Sequence, residues 1–443
     1  YIKDKHYINY IVISMKLTMN NLIDKPEECL NYINSCLKPK KEEKKKHGEV
    51  FTPMDTVNKL LDNLDEEYIK KYNKSIFKEK DFKWYDPANG MGNFPIGIYY
   101  RLMIGLEDII VNENERKKHI LENMLYMSEI QEKNFFICDK ILNSSKLYKL
   151  NHYCGDSLLI DEKNIFGIDK FDVIIGNPPY NDSSGNKGKN HTLWTKFVEK
   201  YTKDSILNKN GFLCFFHPPL WRKLNNKLFD IFKSKNLLYL EIHNVKDGNK
   251  VFSGCSTRFD CYILQNCDYQ KNTIILDEDN QINNIDLSEW KFIPNKLFKL
   301  IKNLLSKDKN VLDINYYRSN YGHDKKWVSK IKDREFIYPV IYSIDKNNSL
   351  SLRYSNTNQN GHFNKCKFIF SNGSGYYLDT NGDYGLTQWA YCIYDNPDNL
   401  KLVQKAFESD LFKNLIDALK IDSSKFNIDT MKLFKKDFYT EFI

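Results

Sequence analysis

Residues 171–182 read FDVIIGNPPYND, an apolar run that stops at an asparagine, two prolines and a tyrosine. Pro178 and Pro179 fix their own φ and donate nothing to a strand ladder, so the chain must leave a buried strand abruptly and stiffly at Asn177. Similar short runs recur on either side: FKWYDP (82–87), NMLYMSEI (123–130), YKLNHYCGD (148–156), GFLCFFHPP (211–219), LLYLEIHNV (237–245) and RFDCYILQN (258–266). Between them lie FPIGIYYRLMIGL, QEKNFFICDKILN, LWTKFVEKYTKDSIL and NKLFDIFKSK, whose apolar residues recur at spacings of three and four, the helical period. Strand and helix alternating from Val50 to about Asn266 predict an α/β fold: a doubly wound, mostly parallel sheet with helices on both faces. Ligands of such a sheet bind at the carboxyl ends of the strands.

The chain has 443 residues, 41% of them hydrophobic, enough for two or three domains with cores of their own. No stretch approaches the roughly 18 uninterrupted apolar residues of a helical membrane span. The opening YIKDKHYINYIVISMKLTM imitates a signal peptide faintly, but it holds Asn9 and lacks a small-residue cleavage site, and is read as leader. The first residue is Tyr1, which leaves Met15 or Met19 as a start, or an incomplete N-terminus. Ten cysteines are scattered without a CxxC pair or zinc-site spacing, so no metal is expected, and reduced thiols place the protein in the cytoplasm. The net charge is +8, and residues 291–443 carry 24 Lys and Arg against 17 Asp and Glu, so +7 of it lies in the last third. That part is either matched to a polyanion such as nucleic acid or is a solvated surface.

KPKKEEKKKHG (38–48) reads as a charged linker. Past Asp268 the rhythm changes: DEDNQINNIDLSEW (277–290) is loop-like, and the remainder is rich in Tyr, Asn and Lys. Strand-like KFIFSNGSGYYL and QWAYCIY there precede a helical end, NLKLVQKAFESDLFKNLIDAL. The expected division is leader and linker over 1–46, the α/β domain over 47–270 and a second domain over 285–443.

DPANGMGNF (86–94) follows a strand and opens a helix. Gly90 and Gly92 permit positive φ and close approach of a ligand, and the helix start offers free N–H groups. A phosphate cradle does not fit: there is no GK[ST] or GxGxxG, and Asp86 repels phosphate. An acid there suits a cation such as an amino acid ammonium. Glu129 ends the next strand, where a carboxylate accepts the hydroxyls of a ribose. Asp156 ends the third and is placed to accept an adenine amino group, with Leu158 beside the ring. Each acid taken alone is as well read as a helix N-cap. Together the three outline an amino acid, a ribose and an adenine.

GEVFTP (48–53), DPANGMGNF, SEI, GDSL and NPPY, in this order and spacing, resemble the gamma-class DNA adenine N6-methyltransferases of restriction-modification systems over about residues 47–265. The resemblance implies a Rossmann-like methyltransferase domain that binds S-adenosyl-L-methionine. Its cofactor contacts would be Thr52, Pro53, Asp86, Pro87, Ala88, Gly90, Gly92, Phe94, Glu129, Ile130, Asp156, Ser157 and Leu158. The sequence departs from the family at Asn89, where a cysteine is commoner. Asn177, Pro178, Pro179 and Tyr180 would be the catalytic set. The Asn177 side-chain oxygen and the Pro178 carbonyl would accept the two N–H bonds of the adenine amine, and Tyr180 would stack on a base that has left the duplex. Phe252 is either the aromatic on the opposite face of that base or a core phenylalanine. NDSSGNKGKNHTLW (181–194) is either a loop that orders over DNA, with Lys187 and Lys189 at phosphates, or a long surface loop. The 285–443 region stands where the family carries an α+β target recognition domain. Double-stranded DNA is then the expected partner, with a separate restriction endonuclease acting on the same site, since 46 residues are too few for a fused nuclease. RNA adenine, a protein glutamine amide and a non-catalytic DNA-binding role are the alternatives.

Overall fold

The computed structural model describes residues 22–36, 51–181, 192–252, 257–308, 310–315, 321–322, 324–359, 362–371, 375–422 and 427–443. The chain divides into two compact units, Tyr1–Trp221 with Asn225–Trp290 and Arg222–Leu224 with Lys291–Ile443.

The first unit is built on nine strands: β1 (Trp84–Asp86), β2 (Leu125–Glu129), β3 (Asn151–Cys154), β4 (Phe171–Gly176), β5 (Leu207–His217), β6 (Asn236–His243), β7 (Phe259–Gln265), β8 (Thr273–Leu276) and β9 (Ile282–Ile285). Their order is β3-β2-β1-β4-β5-β7-β6-β8-β9. From β3 to β5 every pairing is parallel, and β7 lies antiparallel between β5 and β6. This is the doubly wound, mostly parallel α/β sheet. Val173, Ile174 and Ile175 of β4 are fully buried because the strand is covered on both faces. Strand order reverses between β1 and β4, the switch point at which such sheets open a crevice for ligands.

The helices of this unit are α1 (Pro26–Cys36), α2 (Met54–Tyr72), α3 (Asn93–Gly105), α4 (Glu113–His119), α5 (Glu132–Asn143), α6 (Glu162–Phe166), α7 (Leu193–Tyr201), α8 (Lys227–Ser234) and α9 (Val245–Val251). In α2 the spacing Val57, Leu60, Leu61, Leu64, Tyr68 turns one apolar stripe to the core, and Asn73 in the left-handed region (φ 55°) ends the helix. The expected leader and linker over 1–46 is corrected in part: Leu22, Ile23 and Cys29 are buried in this core. The 47–270 boundary also falls short, since β8 and β9 extend the sheet to Ile285.

The second unit carries β10 (Val328–Ser329), β11 (Tyr338–Ile344), β12 (Leu350–Ser355), β13 (Lys367–Ser371), β14 (Tyr376–Asp379), β15 (Gly385–Leu386) and β16 (Ala390–Tyr394) in two small sheets, β10-β12-β11-β15 and β14-β13-β16. KFIFSNGSGYYL is the β13–β14 hairpin pairing, and the helical tail is two helices, Pro397–Glu408 and Asp410–Ala418, parted at Ser409, whose hydroxyl caps the second. Phe407 packs on Phe368 and Phe370 with ring centroids 4.7 and 5.3 Å apart. Lys367 and Asp379 form a fully buried ion pair at 2.6 Å. The same carboxylate accepts the N–H groups of Gly382, Asp383 and Tyr384, folding the turn after β14 around it. This unit is a mixed α+β structure.

Candidate active site

The loops after β1, β2, β3 and β4 meet at one end of the sheet around a cavity of about 1440 Å³. Its wall includes Phe51, Pro87, Ala88, Gly90, Glu129, Ile130, Asp156, Ser157, Leu158, Asn177, Pro178, Pro179 and Tyr180. The structure therefore brings together the four motifs that the sequence places at successive strand ends.

The strand ending at Gly176 and the acid at the end of β1 are neighbours. A Cβ at Gly176 would lie 2.6 Å from Asp86 Oδ1, so only glycine lets β4 approach this carboxylate so closely. Asp86 is 2% exposed. Its Oδ1 accepts from the Ala88 N–H at 3.0 Å, while Oδ2 is buried without a hydrogen-bond partner. Burial, with a smaller push from Glu129, raises the Asp86 carboxyl well above the usual carboxylate range, against the Ala88 hydrogen bond.

The glycine loop is shaped from outside. Gly90 N–H donates to Glu129 Oε2 at 2.8 Å, and Gln131 N–H donates to Oε1 at 2.7 Å, so Glu129 fixes both its own loop and the one before it. Gly92 starts α3 at φ 98°, where an added Cβ would lie 2.6 Å from Cys138 Sγ. Ile130 is 61% exposed at the cavity wall, an apolar surface next to the Glu129 acid. Asp156 Oδ1 accepts from Leu158 N–H at 2.9 Å, turning GDSL into a tight loop.

Thr52 joins three motifs. Its carbonyl accepts from Asn93 Nδ2 at 2.7 Å, and its hydroxyl accepts from Asn177 Nδ2 at 3.2 Å. With the amide nitrogen so used, Asn177 Oδ1 is a buried acceptor without a partner. The Tyr180 carbonyl accepts from Leu193 N–H at 3.0 Å, which ties the end of the NPPY segment to the start of α7.

Two expected contacts are corrected. Phe252 is 1% exposed and packs edge-on against Phe259 at 4.9 Å, near Phe216, so it is the core phenylalanine and offers no face to a base. Phe94 is 3% exposed, also turned into the core, with Phe216 at 6.1 Å. Lys187 and Lys189 lie outside the described residues.

Sequence reasoning missed the supports of the site. His152 on β3, its side chain 1% exposed, bridges Asp139 (Nδ1, 3.0 Å) and Asn89 Oδ1 (Nε2, 3.1 Å) and lies on the Phe135 ring. Asn89 in turn donates to the Gly90 carbonyl, so the residue that departs from the family is held by a histidine relay. The only signal for it was a histidine within the four-residue strand NHYC. Among the described residues no three His, Cys, Asp or Glu side chains are grouped to hold a metal ion, and no helix is long and apolar enough to cross a membrane.

Comparison with known proteins points to a methyltransferase. Residues 107–252 match the profile of the family described as Eco57I restriction-modification methylase. A Mycoplasma pneumoniae protein described as an uncharacterized adenine-specific methylase is 27% identical over 299 residues, covering 52% of this chain and 69% of that protein. The resemblance to the adenine methyltransferases of restriction-modification systems, drawn from five short motifs, is borne out by these two matches. Among solved structures, the type ISP restriction-modification enzyme LlaGI, determined with a DNA substrate mimic, is similar at TM-score 0.49 and 14% identity over 89% of this chain and 46% of that one. A type I modification subunit from Vibrio vulnificus is similar at TM-score 0.42 and 14% identity over 57% of this chain and 52% of that one. The chain thus spans about half the length of each of these two.

The raised carboxyl of Asp86 carries a stability prediction. Its folded-state pKa lies above the unfolded value of about 3.9, so its contribution to stability is complete below that pH and is lost as pH rises through the folded value. Asp86→Asn is therefore expected to raise stability to urea at neutral pH by roughly 0.5–2 kcal/mol, with the gain shrinking toward pH 4. It keeps the Ala88 hydrogen bond and removes the negative charge. Urea melts at pH 4 and 7 check it; a loss of stability at pH 7 would contradict it.

Proposed function

We propose that the protein transfers a methyl group from S-adenosylmethionine to the N6 amine of an adenine flipped out of double-stranded DNA. The single observation that carries the reading is Asn177: its nitrogen is tied to Thr52 and its buried oxygen is left as an unmet acceptor at the cavity wall.

The residues present fit the cofactor. The unmet Asp86 oxygen suits an ammonium group, the Glu129 carboxylate at the cavity wall suits ribose hydroxyls, and Asp156 with exposed Ile130 suits an adenine amine and ring. Pro53, Gly92 and Thr52 stand behind that wall as supports. Bound there, S-adenosylmethionine would supply an electrophilic methyl group.

The chain must make a poor nucleophile reactive, because the lone pair of an adenine amine is delocalised into the ring. Asn177 Oδ1 and the Pro178 carbonyl accept its two N–H bonds and localise the lone pair on nitrogen. Acceptors fixed beforehand cost no reorganisation during reaction, which is the use of two consecutive prolines after a buried strand. Tyr180 gives the extruded base a ring to stack on, worth roughly 1–3 kcal/mol. The new N–C bond leaves an extra proton on nitrogen, which goes to solvent without a strong general base.

DNA is favoured over other substrates by the second unit, which we read as the target recognition domain. Residues 325–334 carry Lys325, Lys326, Lys330, Lys332 and Arg334 against one acid, Asp333, and Lys325 lies over the ring of Trp327, which is 39% exposed beside the edge strand β10. Clustered cations with an exposed aromatic suit a phosphate backbone. A separate endonuclease reading the same site is the partner that a restriction-modification enzyme of this kind implies. Incubation with methyl-labelled S-adenosylmethionine and duplex DNA, RNA or a glutamine-bearing peptide tests the reading. Label is expected in duplex DNA; label confined to RNA or peptide would overturn it.

A further inference from the structure

The loop Gly155–Asp161 has few means of its own to hold a shape. It runs from β3 to α6 with Leu159 84% exposed, and its internal order rests on the Asp156 turn. What fixes it from below is α7. Lys200 Nζ donates to the Ser157 carbonyl at 2.6 Å and to the Ile160 carbonyl at 2.9 Å, and pairs with Glu162 at 2.7 Å. Tyr201, fully buried, donates its hydroxyl to the same Ser157 carbonyl at 3.0 Å. The Lys200 and Glu162 side chains are 13% and 7% exposed. This is a charge-assisted contact made in a partly desolvated place, not a surface pair.

Two features separate Lys200 from an ordinary buried lysine. It gives two hydrogen bonds to one short segment and pairs with the Glu162 carboxylate just beyond it, so its position bears on where the Asp156 and Leu158 side chains stand. It also belongs to the helix whose first N–H, that of Leu193, holds the carbonyl of Tyr180. The loop proposed to hold the cofactor's adenine and the segment proposed to hold the target base are therefore fastened to the two ends of one nine-residue helix.

Resting on the function proposed above, we infer that Lys200, at the wall of the same cavity, is a positioning residue for adenosine recognition: it presets the 156–160 loop for the cofactor. Without Lys200 the Ile160 carbonyl loses its donor and the Ser157 carbonyl keeps only Tyr201, so the loop samples other shapes, a cost that cofactor binding must then meet.

The test uses the full chain and S-adenosylmethionine as the probe. Lys200→Met leaves Glu162 without its partner, and some instability is expected from that alone. The double variant Lys200→Met with Glu162→Gln removes both charges and serves as the foldable control. In both, the Kd for S-adenosylmethionine by calorimetry and its KM are expected to rise about tenfold, while kcat changes far less. Lys200→Arg, which keeps a charged donor, is expected to recover part of the affinity. Wild-type affinity in the double variant would overturn the role of Lys200. Failure of the wild-type protein itself to bind S-adenosylmethionine would instead strike the proposed function.

Discussion

Asn177→Ala is expected to reduce methyl transfer to adenine by at least about 10²–10³-fold, the usual loss when one preorganised polar contact to the reacting group is removed. Cofactor binding should remain within about threefold of wild type. The asymmetry follows from geometry. The Asn177 nitrogen is given to Thr52 and its oxygen has no partner, so the oxygen is the atom proposed to meet the amine, whereas the acids proposed for the cofactor lie on β1, β2 and the loop after β3. Asn177→Asp retains an acceptor oxygen and can still meet the Thr52 hydroxyl, so it should keep measurable activity. Single-turnover transfer and calorimetry with S-adenosylmethionine on the same preparations separate the two effects. Equal losses of rate and cofactor affinity in Asn177→Ala would assign the residue to cofactor binding.

The second large effect falls on binding. Glu129→Ala leaves the Gly90 and Gln131 N–H groups without their acceptor and also removes the proposed seat of the ribose. A buried donor left unmet costs about 1–3 kcal/mol, and each 1.4 kcal/mol is tenfold in affinity. The Kd for S-adenosylmethionine is therefore expected to rise at least about a hundredfold. Glu129→Gln keeps an acceptor for one of the two N–H groups and should fall between. Affinity within threefold of wild type in Glu129→Ala would remove Glu129 from the cofactor site.

Much of this was legible in the sequence because the α/β unit writes its elements plainly. FDVIIG is uninterrupted because both faces of β4 are covered, and Asp86, Glu129 and Asp156 end or follow strands, where a doubly wound sheet gathers its ligands. Strand β9 escaped notice because it is the edge of the sheet: INNI is half polar and Ile282 is 72% exposed, and β8 beside it is only the four residues TIIL. The leader reading missed a helix whose few apolar residues find their core only in the folded unit, at Cys29 above all. The small sheets of the second unit were hidden for a related reason, since β12 is half-buried along most of LSLRYS and shows no clean alternation.

The site divides in the same way. Loop residues that meet a ligand carry their chemistry in a local motif. The residues that hold them do not: Asn177 reaches Thr52 across 125 positions, His152 reaches Asn89 across 63, and Lys200 reaches Ser157 across 43. Phe252 shows the limit from the other side, because whether an aromatic faces a ligand or the core is decided by its neighbours Phe216 and Phe259, not by the residues beside it in the chain.

The most direct measurement is base-resolved sequencing of modified adenine in DNA from cells that express the protein, beside cells that express Asn177→Ala. The account predicts N6-methyladenine concentrated in one short sequence context with the wild-type protein and absent from that context with Asn177→Ala. Unmodified DNA in the wild-type cells, or equal methylation in both, would contradict it.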